Sequence, residues 1–200
     1  MRTDPRVARS RASILDACAE VLAEEGFSGV TIEAVAARSG AAKTTIYRHW
    51  DSREALMIEA FGACSGPPGP PPATGSVRED VRAVLTGLAA KLNESDWRAT
   101  MCSLLDAASR DEGLARLHVA TVAERRRPLT DALERGIASG ELPADLDVEQ
   151  AVAMIAGPLF YRAMVSREPL DAEFIDAVVT GTLPAPRAAG DRGTSSPDGG

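Results

Sequence analysis

Residues 31–50, TIEAVAARSGAAKTTIYRHW, read as two short helices around one tight turn. Thr31 is a good N-cap, because its hydroxyl can accept from a free amide of the first turn. Ile32, Val35 and Ala36 then fall on one helical face, and Ser39-Gly40 stops the helix. A second helix should begin near Ala42 and end around Trp50. Its Ile46 and Trp50, four apart, point back into the protein, while Lys43, Thr44, Thr45, Tyr47, Arg48 and His49 crowd the rest of its surface. Two helices in this order predict a helix-turn-helix, whose second helix enters the major groove of DNA. Short hydroxyl side chains let the backbone approach bases, and Lys and Arg neutralise phosphates. On pattern alone a solvated amphipathic helix with ordinary surface charges is the competing reading.

Working outward, a helix from about Val7 to Glu25 is marked by Ile14, Ala17, Cys18, Val21 and Leu22, with Gly26 as its stop. Asp51 and Glu54 form a capping-box pattern for a fourth helix carrying Ala55, Leu56, Ala60 and Phe61. Then comes SGPPGPPPATGS, residues 65–76, whose five prolines forbid a continuous helix. We read it as a Pro/Gly-rich linker, with a docking motif for a proline-binding domain as the alternative. Further helices are expected at 77–93, 95–109, 112–138 with a kink at Pro128, 147–166 and 171–182, with Asp145 or Asp147 capping the fourth of these. In that fourth helix Val148, Ala151, Val152, Ile155, Ala156, Leu159, Phe160 and Ala163 form one apolar stripe. Met154, Tyr161 and Met164 lie off it, so two faces are expected to be covered. Residues 184–200 have almost no large apolar side chain and read as a disordered tail.

The composition agrees with an all-α chain. Hydrophobic residues make up 44% and aromatics 4%, so apolar content comes from Ala, Leu and Val rather than strand-forming aromatics. The net charge of -7 looks wrong for a DNA binder, but between Arg38 and Arg53 the charges are Arg38, Lys43, Arg48 and Arg53 against Asp51 alone. A basic segment inside an acidic chain fits one DNA-binding module on a non-binding body. The N-terminus lacks the apolar core of a signal peptide, and no stretch approaches the ~20 apolar residues of a membrane span. A cytoplasmic protein without membrane partners is expected. Cys18, Cys64 and Cys102 are odd in number and far apart, which suits small buried side chains, with a redox sensor as the alternative. His49 and His118 have no carboxylate at metal-motif spacing, so neither a metal nor another cofactor is expected. Arg125, Arg126 and Arg127 spread around a helix and read as a solvated patch rather than a second DNA contact.

The run GFSGVTIEAVAARSGAAKTTIYRHWDSREALMIEAF, residues 26–61, resembles the N-terminal signature of TetR-family transcription regulators. The match rests on Gly26-Phe27, Thr31, Val35-Ala36, Gly40, Lys43, Tyr47, His49-Trp50 and Ser52-Arg53-Glu54-Ala55-Leu56. The rest of the chain is similar to one TetR subgroup only loosely, in RRRPLTDALERGIASGELPADLD and GPLFYRAM. The resemblance implies a three-helix DNA-binding head, a divergent helical effector domain and dimerisation through the last two helices. It also implies an operator of double-stranded DNA, a small-molecule effector and a repressor rather than an activator. Domain bounds follow as 1–64 for the head, 65–76 for the linker, 77–183 for the effector and dimerisation domain, and 184–200 for the tail.

Carried over position by position, the resemblance makes Thr31 a phosphate-contacting cap and Tyr47 and His49 phosphate anchors. Lys43, Thr44 and Thr45 take base-reading or groove-lining positions and Arg53 stands where the family usually has the Lys that opens helix 4, while Arg48 is expected to neutralise phosphate by its own charge. Two departures are Ala42 in place of a Ser cap, which weakens the helix start by about 1 kcal/mol, and Thr44 in place of Gly. An effector pocket between bundled helices would be lined by Trp97, Met101, Leu105, Leu117, His118, Thr121, Phe160, Tyr161 and Met164, although each also suits plain core packing. Few aromatics and few buried-looking charges favour a hydrophobic or weakly polar ligand. Met154, Tyr161, Phe174, Ile175, Val178 and Val179 are the expected homodimer interface. The rival function is a small helical ligand carrier or enzyme retaining a helix-turn-helix head. No nucleophile–base pair or phosphate-binding Gly loop supports the enzyme, and a third possibility is an adaptor acting through the Pro-rich segment.

Overall fold

A computed structural model of the protein describes residues 5–64 and 72–184. Within them every regular element is helical. The head comprises α1 (Pro5–Gly29), α2 (Ile32–Ser39), α3 (Lys43–His49) and α4 (Arg53–Cys64). The body comprises α5 (Val77–Asn93), α6 (Ser95–Ala108), α7 (Glu112–Ser139), α8 (Val148–Phe160), which continues as a π-helical segment (Tyr161–Ser166), and α9 (Ala172–Thr182). The predicted linker is described only from residue 72, and the predicted tail lies outside the described residues except for Pro184.

Local signals place the ends of these elements. Thr31 accepts from the Ala34 amide, Asp111 from Leu114, Asp147 from Gln150 and Asp171 from Phe174, each satisfying a first-turn donor. Of the two candidates for the start of α8, Asp147 is therefore the cap. At α4 the expectation is corrected by one residue. The hydroxyl of Ser52, not the Asp51 carboxylate, accepts the Ala55 amide at 3.1 Å. Pro128, the expected kink, lies inside α7, which runs as one helix from Glu112 to Ser139. Its second half is held against the core by Leu129, Ala132 and Leu133. The ladder instead loosens after Pro158, a residue with no amide to donate. There the Tyr161 amide is shared between the Gly157 and Pro158 carbonyls, and the π-helical segment follows, ending at Arg167 with φ 56.

In the head, Ile14, Cys18, Val21 and Leu22 of α1 are buried together with Val35, Ile46, Leu56 and Phe61. The core continues into the body through Leu85 and Leu92 of α5, Leu104 of α6, Leu133 of α7, Leu159 of α8 and Val179 of α9. Polar clasps fix the joints of the body. Asn93 donates to the Leu170 carbonyl and accepts its amide, holding the turn before α9 against the end of α5. Asp80, only 4% exposed, accepts from the amide and hydroxyl of Thr74 and from Arg135 on α7. No helix among the described residues is long and apolar enough to cross a membrane.

Candidate nucleic-acid interface and effector region

The second helix of the motif is short, and its start has no side-chain cap, since Ala42 contributes only its carbonyl to the Thr45 and Ile46 amides. Packing supplies what the cap does not. Ile46 is fully buried and Trp50 is 4% exposed, which fixes one side of α3 against the head. Lys43, Thr44, Tyr47 and Arg48 are consequently exposed along the opposite side, and Thr45 is half-buried beside them. The turn before α3 is closed by Gly40 in the left-handed region (φ 70, ψ 8). Ser39 assists it by donating to the Val35 carbonyl and accepting the Ala41 amide.

Several predicted contact residues already have partners. Lys43 donates to Glu33 of α2, and that hydrogen bond holds the exposed Glu33 carboxyl below its usual range. Arg53 donates to the Val30 carbonyl at 3.2 Å and to Glu54 at 2.9 Å, so as placed it ties α4 to the chain entering α2. The Thr31 hydroxyl serves as the α2 cap while remaining at the surface. His49 is half-buried with its ring 5.5 Å from that of Trp50, and its Nε2 is shielded from solvent with no hydrogen-bond partner. Tyr47, by contrast, is 54% exposed.

Two head residues that the sequence reading passed over anchor this surface. Glu59 on α4 accepts both the Trp50 indole N–H, at 2.7 Å, and the Arg11 guanidinium, which also stacks 5.1 Å above the Trp50 ring. Nothing in the spacing of residues 11, 50 and 59 signals this, because the three lie on different helices. The one signal for such a contact is the need of a buried indole N–H for an acceptor.

The nine predicted effector residues differ widely in exposure. Trp97 and Met101 are 8% and 7% exposed, and Trp97 stacks on Phe61 of the head with centroids 5.8 Å apart. Leu105 and Tyr161 are 44% and 63% exposed, so the protomer itself does not enclose them. Leu117, His118, Thr121, Phe160 and Met164 are half-buried. Thr121 bonds to the Leu117 carbonyl of its own helix, whereas the buried Nδ1 of His118 has no partner, and burial lowers the imidazole pKa. A cavity of about 480 Å³ lies elsewhere, between the start of α5 and the end of α7 around Asp80, Arg135 and Ser139. None of the nine lines it.

The predicted dimer residues also divide. Met154 and Tyr161 are well exposed and, with Gly157 and Val165, form a stripe along α8 and its π-helical extension. Phe174 is half-buried beneath the Arg162 guanidinium, 4.4 Å from its ring. Ile175, Val178 and Val179 instead fill the protomer's own core. They lie on the helix that packs against α5 and α8, whereas Phe174, the largest apolar side chain of α9, stays half-buried.

A helix-turn-helix with an exposed polar recognition surface, set on a larger helical body, defines a DNA-binding regulator of the two-domain helical class. Residues 14–60 match the family described as bacterial regulatory proteins, tetR family, and residues 71–182 match the tetracyclin repressor-like C-terminal domain. The chain belongs to the TetR family of transcriptional regulators. It is 31% identical over 179 residues to the uncharacterized HTH-type transcriptional regulator YdeS of Bacillus subtilis, covering 89% of this chain and 90% of that one. It is 28% identical to the DNA-binding transcriptional repressor TetR of Mycobacteroides abscessus, covering 86% and 90% of the two chains. Among solved structures, the TetR family transcription regulator SCO0332 superposes with a TM-score of 0.70 at 31% identity, covering 86% of this chain and 96% of that one.

Proposed function

We propose that this DNA-binding regulator is a ligand-responsive repressor that binds a palindromic operator as a homodimer and is released by a small hydrophobic or weakly polar effector. It acts by binding rather than by catalysis. The observation that carries the reading is the exposed row Lys43, Thr44, Tyr47 and Arg48 on a helix whose other side is locked by Ile46 and Trp50. Such a helix presents cations and hydroxyls to a groove without itself needing to rearrange. In this reading Tyr47, Lys43 and Arg48 hold phosphates, Thr44 and Thr45 read bases, and residues 1–64 and 77–183 are the two working domains.

The stripe Met154, Gly157, Tyr161 and Val165 is the α8 face we assign to the partner subunit, since a large exposed apolar patch marks an interaction surface. We place the effector among the half-buried Leu117, His118, Thr121, Phe160 and Met164, where the His118 Nδ1 offers a polar ligand group a partner. The test combines footprinting of the purified protein on the DNA flanking its own gene with light scattering. A protected near-palindrome and a dimeric mass are expected. An unprotected flank or a monomeric mass at micromolar concentration overturns the operator and dimer readings respectively.

A further inference from the structure

Among the described residues, directional contacts join head and body at the end of α4 and at α1. At the end of α4, Arg125 on α7 donates to the Gly62 carbonyl at 2.8 Å. The other joint is at α1. Gly26 adopts φ 69 and ψ -178, which takes the chain out of the helix for one residue and turns the next amide, that of Phe27, off the helical path. Ser103, on α6 of the body, receives that amide on its Oγ at 2.8 Å. A Cβ at position 26 would stand 2.5 Å from the same oxygen, so the hydroxyl occupies space that only glycine leaves open.

Aromatic rings also link head and body. Phe27 is 1% exposed and meets Phe61 of α4 edge-on, with centroids 5.9 Å apart, and Phe61 in turn meets Trp97 of α6. Apolar contact of this kind fixes how close the head lies to the body but only weakly how it is turned, because burial is non-directional. A hydrogen bond has a preferred direction at donor and acceptor. At the α1 joint the Ser103 hydroxyl therefore supplies an angular constraint that the rings do not, as the Arg125–Gly62 bond does at the end of α4.

We propose that Ser103 is a positioning residue for DNA recognition, whose bond to the Phe27 amide sets the angle of the head on the body and thereby the separation of the two recognition helices in a dimer. The proposal rests on the homodimer reading. In a two-fold dimer both heads turn together, and both α3 helices must meet major grooves one helical repeat apart. Ser103 lies away from α3, so its influence is on spacing and not on the reading of either half-site.

The test uses the full chain and a duplex selected by the wild type from a random-sequence pool. Companion duplexes carry one or two base pairs inserted or removed between the half-sites, and another carries a single half-site. For Ser103→Ala we expect a folded dimer that binds the selected duplex roughly three- to tenfold more weakly. Binding to the single half-site should change by less than about twofold, and discrimination among spacings should flatten. Ser103→Thr, which keeps the hydroxyl, should restore both. If Ser103→Ala is not folded, Ser103→Cys, a poorer acceptor of similar size, should show the same flattening to a smaller extent. Equal loss on the selected duplex and the half-site, or an unchanged spacing preference, overturns the proposal. So does failure of Ser103→Thr to restore the wild-type pattern. A monomeric mass for the wild type removes the dimer reading and this proposal with it, by a signal independent of any Ser103 variant.

Discussion

The head and the body are built from the same kind of helix, yet they differ in how their surfaces are committed. In the head, one face of each short helix enters a core with α1, and the remaining faces carry charge and hydroxyls to solvent. In the body, α8 buries Val152, Ile155 and Leu159 on one side and exposes Met154, Tyr161 and Val165 on another. A helix apolar on more than one side can satisfy one side within its own chain and leave the other for a second molecule. The head thus displays polar chemistry against DNA, and the body displays apolar chemistry.

Substitution at the two kinds of apolar position gives the sharpest test of that difference. Val178→Asp places a carboxylate in the protomer core and should cost about 3 kcal/mol or more of stability in urea unfolding. Tyr161→Asp should leave unfolding within about 0.5 kcal/mol, measured on samples dilute enough to be monomeric. Its effect should instead appear as dimer dissociation by light scattering. Equal destabilisation by both would break the distinction between core and interface on α8 and α9.

The Asp80 clasp comes next in size. Burial pushes this carboxyl upward, but the Thr74 amide, Arg135 and the Thr74 hydroxyl together outweigh burial and hold it below its ordinary value. The folded chain therefore binds that proton less readily than the unfolded chain. The contribution is present above the ordinary carboxylate range and is lost as pH falls through and below it. Asp80→Asn should cost about 2 kcal/mol in denaturant unfolding at neutral pH and flatten the acid limb of the stability curve. An unchanged acid limb would show that the clasp contributes nothing.

On the head the expected effects are smaller. Lys43→Ala and Arg48→Ala should each reduce the log–log salt slope of DNA binding by about one. Glu33→Gln, which releases Lys43, should tighten binding by roughly two- to threefold. Thr44→Ala or Thr45→Ala should alter preference among operator variants by about 1 kcal/mol per base contact. Unaltered isotherms for Lys43→Ala and Thr45→Ala would remove α3 from the interface. The smallest effect belongs to His118. Burial lowers its folded pKa, so stability present above the ordinary imidazole range declines as pH falls into and below it. His118→Phe should remove that decline from thermal melts taken between pH 7 and pH 5, and an identical decline in the variant would assign it to another group.

The sequence carried the head well because its signals are local. Thr31, Gly40 and the spacing of Ile46 and Trp50 specify a cap, a turn and a buried side within twenty residues. The body's helices were equally visible, but the destinations of their faces were not. Val178 and Tyr161 both read as apolar surface, and only the arrangement of α5, α8 and α9 separates them. Glu59, Arg11 and Ser103 escaped for the same reason, since each acts on a backbone or ring that is distant in sequence. Asp51 and Ser52 are indistinguishable as α4 caps in the sequence, because adjacent Asp and Ser cap equally well.

The uncapped start of α3 has a further consequence for its motion. Seven residues are too few for a helix to persist in water by its own hydrogen bonds. Its order is therefore borrowed from Ile46, Trp50 and the Glu59 acceptor on α4. Amide hydrogen exchange in α3 should follow the tightness of that packing, with Glu59→Ala speeding exchange in 43–49 while the amides of α7 keep their protection. The reading surface would then be the part of the molecule most easily loosened without unfolding the remainder.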